Sequence, residues 1–353
     1  MHPGLMNGTS TDETAGPTVA TSHGRRREGR GGLRPTVSVV LPTFNRADIV
    51  MQAIGSVLQQ TFSDLELIIV DDSSTDATWS KLSRITDPRV RLVANTGAKG
   101  GAGARNHGVG LARAEWICQI DSDDLWSPDM LEHLVAGIER ASPAVGVVYG
   151  SDHWIEFETG AVRRRRRAEL AGYAYKRVFE RDFYHHCAAA IRRTAFESVG
   201  GYDVSLEGVE DTDLQHRLTE EWEVLPVPEA VYLYRIGRDD QVTKAHATRA
   251  RQQLKFLAKH EGVLRTMPAS LVKIVGVIMV SCLEGAQWLD AARLYLRLLR
   301  WGPAAPRLVY RYSLRGAVVL RHHVVAWFSR RGRKRAEPVA TRGPLALRPD
   351  SNR

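Results

Sequence analysis

From Thr36 onward the chain alternates short runs of aliphatic and β-branched residues with segments whose apolar positions recur at helical spacing. Val37 to Leu41, Leu65 to Val70, Val90 to Val93, Trp116 to Ile120 and Val145 to Tyr149 read as strands. Most are apolar at nearly every position rather than at every second one, so they are expected to be covered on both faces. Between them, Ala47 to Gln59, Asp76 to Arg84 and Ala102 to Ala112 have helical spacing, with Ser74 or Thr75 placed to cap the second. Ser127-Pro128-Asp129 supplies an N-cap, a first-turn proline and a dipole-favouring acid at the head of a helix running to Arg140. Repeated strand–helix–strand units restrict the fold to an α/β class, a mostly parallel, doubly wound sheet flanked by helices.

The periodicity changes after Ala245. Arg249 to His260, Pro268 to Asp290, Ala291 to Arg300 and Pro306 to Ser329 read as helices only. The expected organisation is a disordered arm over 1–34, an α/β domain over 35–245, a basic helical region over 246–329 and a disordered tail over 330–353. The arm is Gly, Thr, Ser and Arg without the apolar core of a signal peptide. Met267 to Leu283 is the most apolar run, but Lys273 interrupts it and Glu284 closes it, short of the roughly 20 clean residues a membrane span needs. A buried or interfacial helix is expected there. Between Asp290 and Glu337 no acidic residue occurs, while Arg and Lys recur among Leu, Val, Trp and Tyr. Such a pattern suits peripheral contact with an anionic membrane, and no nucleic acid is expected as partner. Cys118, Cys187 and Cys282 are odd in number and scattered, which excludes a disulfide framework or a zinc ribbon and fits a reducing cytoplasm, with the inner face of the cell membrane as the peripheral site.

Polar residues punctuate the strands at their carboxyl ends. Thr43-Phe44-Asn45, Asp71-Asp72 and Asp121-Ser122-Asp123-Asp124 each follow a predicted strand at once, and open α/β sheets bind ligands beyond those ends. Asp121, Asp123 and Asp124 crowd three carboxylates into four residues, and a hard divalent cation, Mg²⁺ or Mn²⁺, answers their repulsion while leaving positions open for phosphate oxygens. A solvated acidic turn is the alternative. Asp71 and Asp72 can accept bonds from a base or a ribose hydroxyl, or cap the following helix. The glycine-rich segment Asn95 to Gly110 matches neither a P-loop nor a dinucleotide fingerprint and reads as a mobile loop, with Arg105 and Asn106 opening a helix whose N-terminus favours a diphosphate. Asp211 opens a helix too, either as a reacting carboxylate or as a dipole partner. His185-His186 can offer a metal ligand or serve structure or acceptor. Arg163 to Arg167 reads as an exposed loop that is either solvated or aimed at an anionic acceptor.

Four segments, VSVVLPTFNR (37–46), SVLQQTFSDLELIIVDDSSTDAT (56–78), ARNHGVGLARAEWICQIDSDD (104–124) and GVEDTDLQHRL (208–218), resemble in order and spacing the motifs of family 2 glycosyltransferases of the GT-A fold. The resemblance runs from Thr36 to Ala245. It implies an inverting enzyme that moves a sugar from a nucleotide-diphosphate donor to an acceptor hydroxyl in cell-envelope polysaccharide, glycolipid or glycoprotein synthesis, with a saccharide or lipid-linked acceptor. By position it implies Pro42, Thr43, Asn45 and Asp72 at the nucleotide, Asp121 and Asp123 at ribose and diphosphate, Asp123 and Asp124 at Mn²⁺ or Mg²⁺, and Asp211 of Glu210-Asp211 as general base. Arg238-Asp239-Asp240-Gln241 loosely resembles a segment that closes over the donor. A non-catalytic partner that binds nucleotide sugar or organises a membrane assembly is the rival reading, and a nucleotidyltransferase ranks behind it because the glycine-rich Arg-Lys signature of those enzymes is missing.

Overall fold

The computed structural model describes residues 34–180, 184–238, 246–301 and 306–334. The α/β part contains β1 (Val37–Thr43), α1 (Val50–Leu58), β2 (Leu65–Asp71), α2 (Thr78–Leu82), β3 (Val90–Ala94), α3 (Gly101–Leu111), β4 (Trp116–Gln119), β5 (Leu125–Trp126), α4 (Met130–Arg140), β6 (Val145–Glu156), β7 (Val162–Arg166), α5 (Tyr175–Glu180), a 3₁₀ turn (His186–Ala188), β8 (Ala189–Arg192), α6 (Arg193–Ser198), α7 (Glu210–Glu221) and β9 (Glu223–Ile236). Helices α8 (His246–Leu264), α9 (Pro268–Glu284), α10 (Trp288–Trp301) and α11 (Pro306–Lys334) follow.

Among the described residues the strands form one sheet, in the order β3-β2-β1-β4-β8-β6-β9-β5, with β7 pairing the later part of β6 beyond the stretch that β8 pairs. β1, β2 and β3 are parallel neighbours and β1 pairs β4 in parallel. The expected parallel sheet is therefore correct for that half. The other half is mixed: β8 is antiparallel to both β4 and β6, β5 is antiparallel to β9, and only β6–β9 is parallel. The antiparallel insertions come from short elements after Asp121, where no long apolar run announces a strand.

β1 and β2 are buried at every position, as their composition requires. Val37, Val39 and Leu41 face the core made with α1 and α4, while Val40 faces the one under α3. Gly108 lets α3 lie flat on the sheet, since a Cβ there would sit 2.5 Å from a methyl of Val40. A Cβ on Gly103 would fall 1.9 Å from the Ala98 carbonyl oxygen. The glycines expected to form a mobile loop thus serve close packing inside a helix. Two caps also differ from expectation: α2 begins after Ala77 without a side-chain cap, because Ser74 Oγ instead accepts the Asn45 amide at 2.9 Å. Similarly α4 begins after Asp129, while the Ser127 and Pro128 carbonyls are used by Gln60 and Thr61.

The arginine run is not a loop. Arg163 to Arg166 form β7, antiparallel to β6, with Arg163 paired to Glu156, Arg166 to Asp152, and the Arg164 guanidinium 5.0 Å over Trp154. The last four helices share a core in which α9 is central, and Phe179, Leu206 and Val209 of the α/β part join it. Among the described residues no helix is long and apolar enough to cross a membrane. Of the ends expected to be disordered, residues 1–33 and 335–353 lie outside the described residues, and 330–334 continue α11 as helix.

Candidate active site

Parallel register brings Thr43 level with Asp71 and Asp71 level with Ala94, so the turns after β1, β2 and β3 open on one edge. There Asn45, at a positive φ of 50°, accepts the Thr75 amide at 2.8 Å and ties the first turn to the second. Asp72 clamps the third: its Oδ1 accepts Asn95 Nδ2 at 2.6 Å and its Oδ2 the Gly100 amide at 2.8 Å. Asp71 is buried and accepts the Ser74 amide at 2.9 Å, the turn role open to it from sequence. Pro42 lies inside β1 opposite Val70, and Thr43 is buried with its Oγ1 unpartnered among the described residues.

Beyond β4 the acidic residues separate by environment. Asp124 is buried, accepting the Tyr232 hydroxyl on one oxygen and the Arg235 amide at 2.6 Å on the other. Burial and the charges of Asp123 and Asp121 push its pKa well above the usual carboxylate range. Asp124, expected among the metal ligands, is instead the anchor that fixes the acidic turn to β9. Arg235 completes that anchor by reaching the Asp123 carbonyl and Gln52 of α1.

Asp121 and Asp123 remain at the edge, with side chains 23% and 22% exposed. Burial opposes charge on Asp121, but Arg105 and His186 outweigh it and hold its pKa well below the usual range. Asp123 goes the other way, raised by burial and by the charge of Asp121 against the weaker pull of Arg46, 3.9 Å away. Asp123 is thus a carboxylate short of positive charge, which is the condition a divalent cation relieves.

Arg105 is the largest departure from expectation at the site. It lies in α3, 7% exposed, with Nη2 at 2.6 Å from Asp121 and Nη1 at 3.2 Å from Glu210. Its guanidinium neutralises two protein carboxylates. Asn106 spends both ends of its amide on the backbone of Tyr202, at 2.9 Å each, which pins the loop ahead of α7.

The helix α7 places Glu210 and Asp211 against the acids after β4. Glu210 is buried on Arg105 and the Gly208 amide, and burial keeps its pKa raised. Asp211 is partly open, with Oδ1 accepting the Thr212 amide at 2.7 Å and Oδ2 3.5 Å from His186 Nδ1. His186 Nε2 lies 3.7 Å from Asp121. Burial alone raises Asp211, yet His186 and His185 outweigh it and leave the carboxyl ionised far below its ordinary range. Burial opposes a charge on His186, but Cys187, Tyr202 and Asp121 outweigh it and raise its pKa well above the ordinary range. One buried cation thus joins Asp121 to Glu210, and a second lies between Asp121 and Asp211.

Sequence reasoning left His186 open and passed over Tyr202, Tyr232, Arg235 and Arg46. The adjacent histidines were the available signal, but nothing in their spacing shows that one faces two carboxylates. The ligand atoms of His185, His186 and Cys187 lie within 4.8 Å of one another. His185 Nδ1 accepts the Cys187 amide at 3.4 Å, burial drops its pKa to about 3, and burial keeps the Cys187 thiol protonated up to about 11. Those groups suit a tight turn. Of the segment 238–241, Arg238 pairs with Asp48 at 3.1 Å, while Asp239, Asp240 and Gln241 lie outside the described residues.

Residues 38–200 match the family model described as glycosyl transferase family 2. The succinoglycan biosynthesis protein ExoO of Rhizobium meliloti (strain 1021) is 42% identical over 139 residues, 39% of this chain and 39% of its own length. The Escherichia coli protein WfgD, a UDP-Glc:alpha-D-GlcNAc-diphosphoundecaprenol beta-1,3-glucosyltransferase, is 41% identical over 115 residues, 33% of this chain and 45% of its own. The chain therefore aligns with less than half the length of either relative. In fold it is similar to S. aureus TarS 1-349 in complex with UDP-GlcNAc, with a TM-score of 0.50 at 16% identity over 81% of this chain and 92% of that one. Over residues 38–200, a little under half of its length, the chain therefore matches glycosyl transferase family 2, and its mixed α/β sheet is similar in fold to that of TarS 1-349.

Proposed function

We propose that the chain transfers a sugar from a nucleoside-diphosphate donor to an acceptor hydroxyl, with inversion, in the assembly of a cell-envelope polysaccharide. The observation that carries this reading is the meeting of Asp121, inside the matched residues 38–200, with Glu210 and Asp211, which lie beyond them, around the buried cations Arg105 and His186. Residues 35–245 form the catalytic domain on this reading, and 246–329 an appended helical module. Asn45 and Asp72 order the turns that receive the nucleotide, and Asp72 keeps lone pairs for a base or ribose. Asp121 faces the ribose and diphosphate side.

Asp123 would hold Mn²⁺ or Mg²⁺, which when bound supplies Lewis-acid stabilisation of the diphosphate leaving group. Asp211 Oδ2 takes the proton of the acceptor hydroxyl as that oxygen bonds to the anomeric carbon, and the carbon–oxygen bond to the diphosphate breaks on the opposite face. The depressed pKa of Asp211 keeps this base ionised across neutral pH. The name of WfgD points to a UDP-sugar and a lipid-diphosphate-linked acceptor as the first pair to try.

The test is release of nucleoside diphosphate from UDP-, GDP- and dTDP-sugars with Mn²⁺ or Mg²⁺, in the presence of lipid-diphosphate saccharides. The reading requires turnover that Asp211→Asn lowers by about 10²-fold or more, the scale of general-base catalysis. Donor binding without turnover on any acceptor would favour a non-catalytic binding partner instead.

A further inference from the structure

Helices α10 and α11 carry large apolar side chains toward solvent. On α10, Leu289, Ala292, Leu296 and Leu299 recur at spacings of three and four, which places them on one face. Leu289 is 75% exposed, Leu296 68% and Leu299 48%, and the exposed rings of Trp288 and Tyr295 border them. Burial of this helix falls on other positions, Ala291, Leu294 and Leu298, which join the core around α9. Arg293 and Arg300, seven residues apart, run beside the leucine stripe.

The pattern recurs on α11. Tyr312 packs where a Cβ on Gly276 of α9 would lie 2.3 Å from its ring, and Gly316 lies beside Leu283 and Met279. With that side seated, Tyr310, Leu314 and Val318 face outward at four-residue intervals, 68%, 50% and 55% exposed. Arg307, Arg311 and Arg315 are also exposed, at the same interval. From 291 to 336 there is no acidic residue.

We propose that the outward faces of α10 and α11 seat the protein on an anionic lipid surface, leucines at the acyl boundary and arginines on the headgroup phosphates. Exposed aliphatic stripes flanked by arginine are what such a surface accepts, and the absence of a spanning helix among the described residues means that the protein would lie on the membrane there rather than cross it. A second copy is a poorer occupant, because a two-fold contact would face arginines with arginines and offer a single acid, Asp290, which already pairs with Arg293 at 3.3 Å. Nucleic acid is poorer still, because leucine stripes make no use of phosphate or base edges. This inference goes beyond the transfer reaction and does not depend on it.

The experiment is flotation of the full chain with phosphatidylcholine vesicles and with phosphatidylcholine–phosphatidylglycerol vesicles, without donor or acceptor. The expected result is selective binding to the anionic vesicles. It should be weakened about tenfold or more by Leu289→Ser/Leu296→Ser/Leu299→Ser and again by Arg307→Gln/Arg311→Gln/Arg315→Gln, and reduced by salt for the wild type. Unchanged far-UV circular dichroism and melting would show that the variants fold. A chain that floats with neither vesicle overturns the proposal, as does binding that both variants retain. Self-association in light scattering that the serine variant abolishes, without vesicle binding, would assign the face to a second copy. Equal retention on duplex DNA, with no vesicle binding, would assign it to nucleic acid.

Discussion

Replacing Arg105 by Met tests whether the site is held together by its buried cation. The side chain is 7% exposed and contacts Asp121 at 2.6 Å and Glu210 at 3.2 Å, so Met keeps much of the volume and removes the charge. Breaking a buried pair by deleting one partner costs about 3–5 kcal/mol, because the other charge stays buried. Here two carboxylates are left, and the cost should fall at the upper end of that range in urea denaturation near neutral pH. The pH dependence gives the sharper sign. In the wild type the depressed pKa of Asp121 contributes stability that is present above its unfolded value and lost as pH falls. Without Arg105, Asp121 and Glu210 should bind protons more tightly in the folded state than in the unfolded one, so the variant should gain stability as pH falls from about 8 to about 5. The gap to wild type should therefore narrow on acidification. Arg105→Lys should recover only part of it, since one ammonium does not reproduce a fork across two acids. A loss under about 1 kcal/mol, or a gap that does not change with pH, would refute the reasoning.

Gly103→Ala should destabilise by about 1–3 kcal/mol in spite of the better helix propensity of Ala, since its Cβ meets a backbone carbonyl, whereas Gly110→Ala in the same helix meets nothing within 4 Å and should stabilise by up to about 1 kcal/mol in thermal melts. Asp213, fully buried between α7 and α8, is bonded to His260 at 2.8 Å, Lys259 at 2.9 Å and Arg217 at 2.7 Å. Burial opposes its charge but these partners hold its pKa far below the ordinary range, so its contribution is present above the unfolded value near 4 and lost as pH falls. Asp213→Asn should cost at least about 2 kcal/mol at neutral pH, and the difference from wild type should vanish in acid unfolding. Tyr232→Phe removes one of the two donors on Asp124 and should cost about 1–3 kcal/mol in urea denaturation.

The first four strands were legible as apolar runs; in β1, β2 and β4 burial at every position forces that composition, while β3 is only partly buried. Of the strands after Asp121 only the first part of β6, Val145 to Tyr149, was legible. β7 is mostly arginine and exposed, β5 has two residues, and β9 alternates partly buried positions without a clear period. Partners on β6 and β9, distant in sequence, decide those strands. At the site, the carboxylates were legible as residue types at strand ends, but their division of labour was not. Asp123 and Asp124 are neighbours in sequence, yet one faces the edge and the other accepts two protein donors from β9, more than a hundred residues away. Arg105 looked like a phosphate ligand because helix starts favour anions. Its position inside α3 sends it to Asp121 and Glu210 instead.

Calorimetric titration of UDP-, GDP- and dTDP-sugars into the wild type, Asp123→Asn and Asp211→Asn, each with and without Mn²⁺, tests most directly whether the meeting of these acids is a donor site. The account predicts that one donor binds the wild type more tightly with metal, that Asp123→Asn loses the metal's contribution, and that Asp211→Asn binds like the wild type. Metal-enhanced donor binding that survives intact in Asp123→Asn, or no binding of any nucleotide sugar, would contradict it.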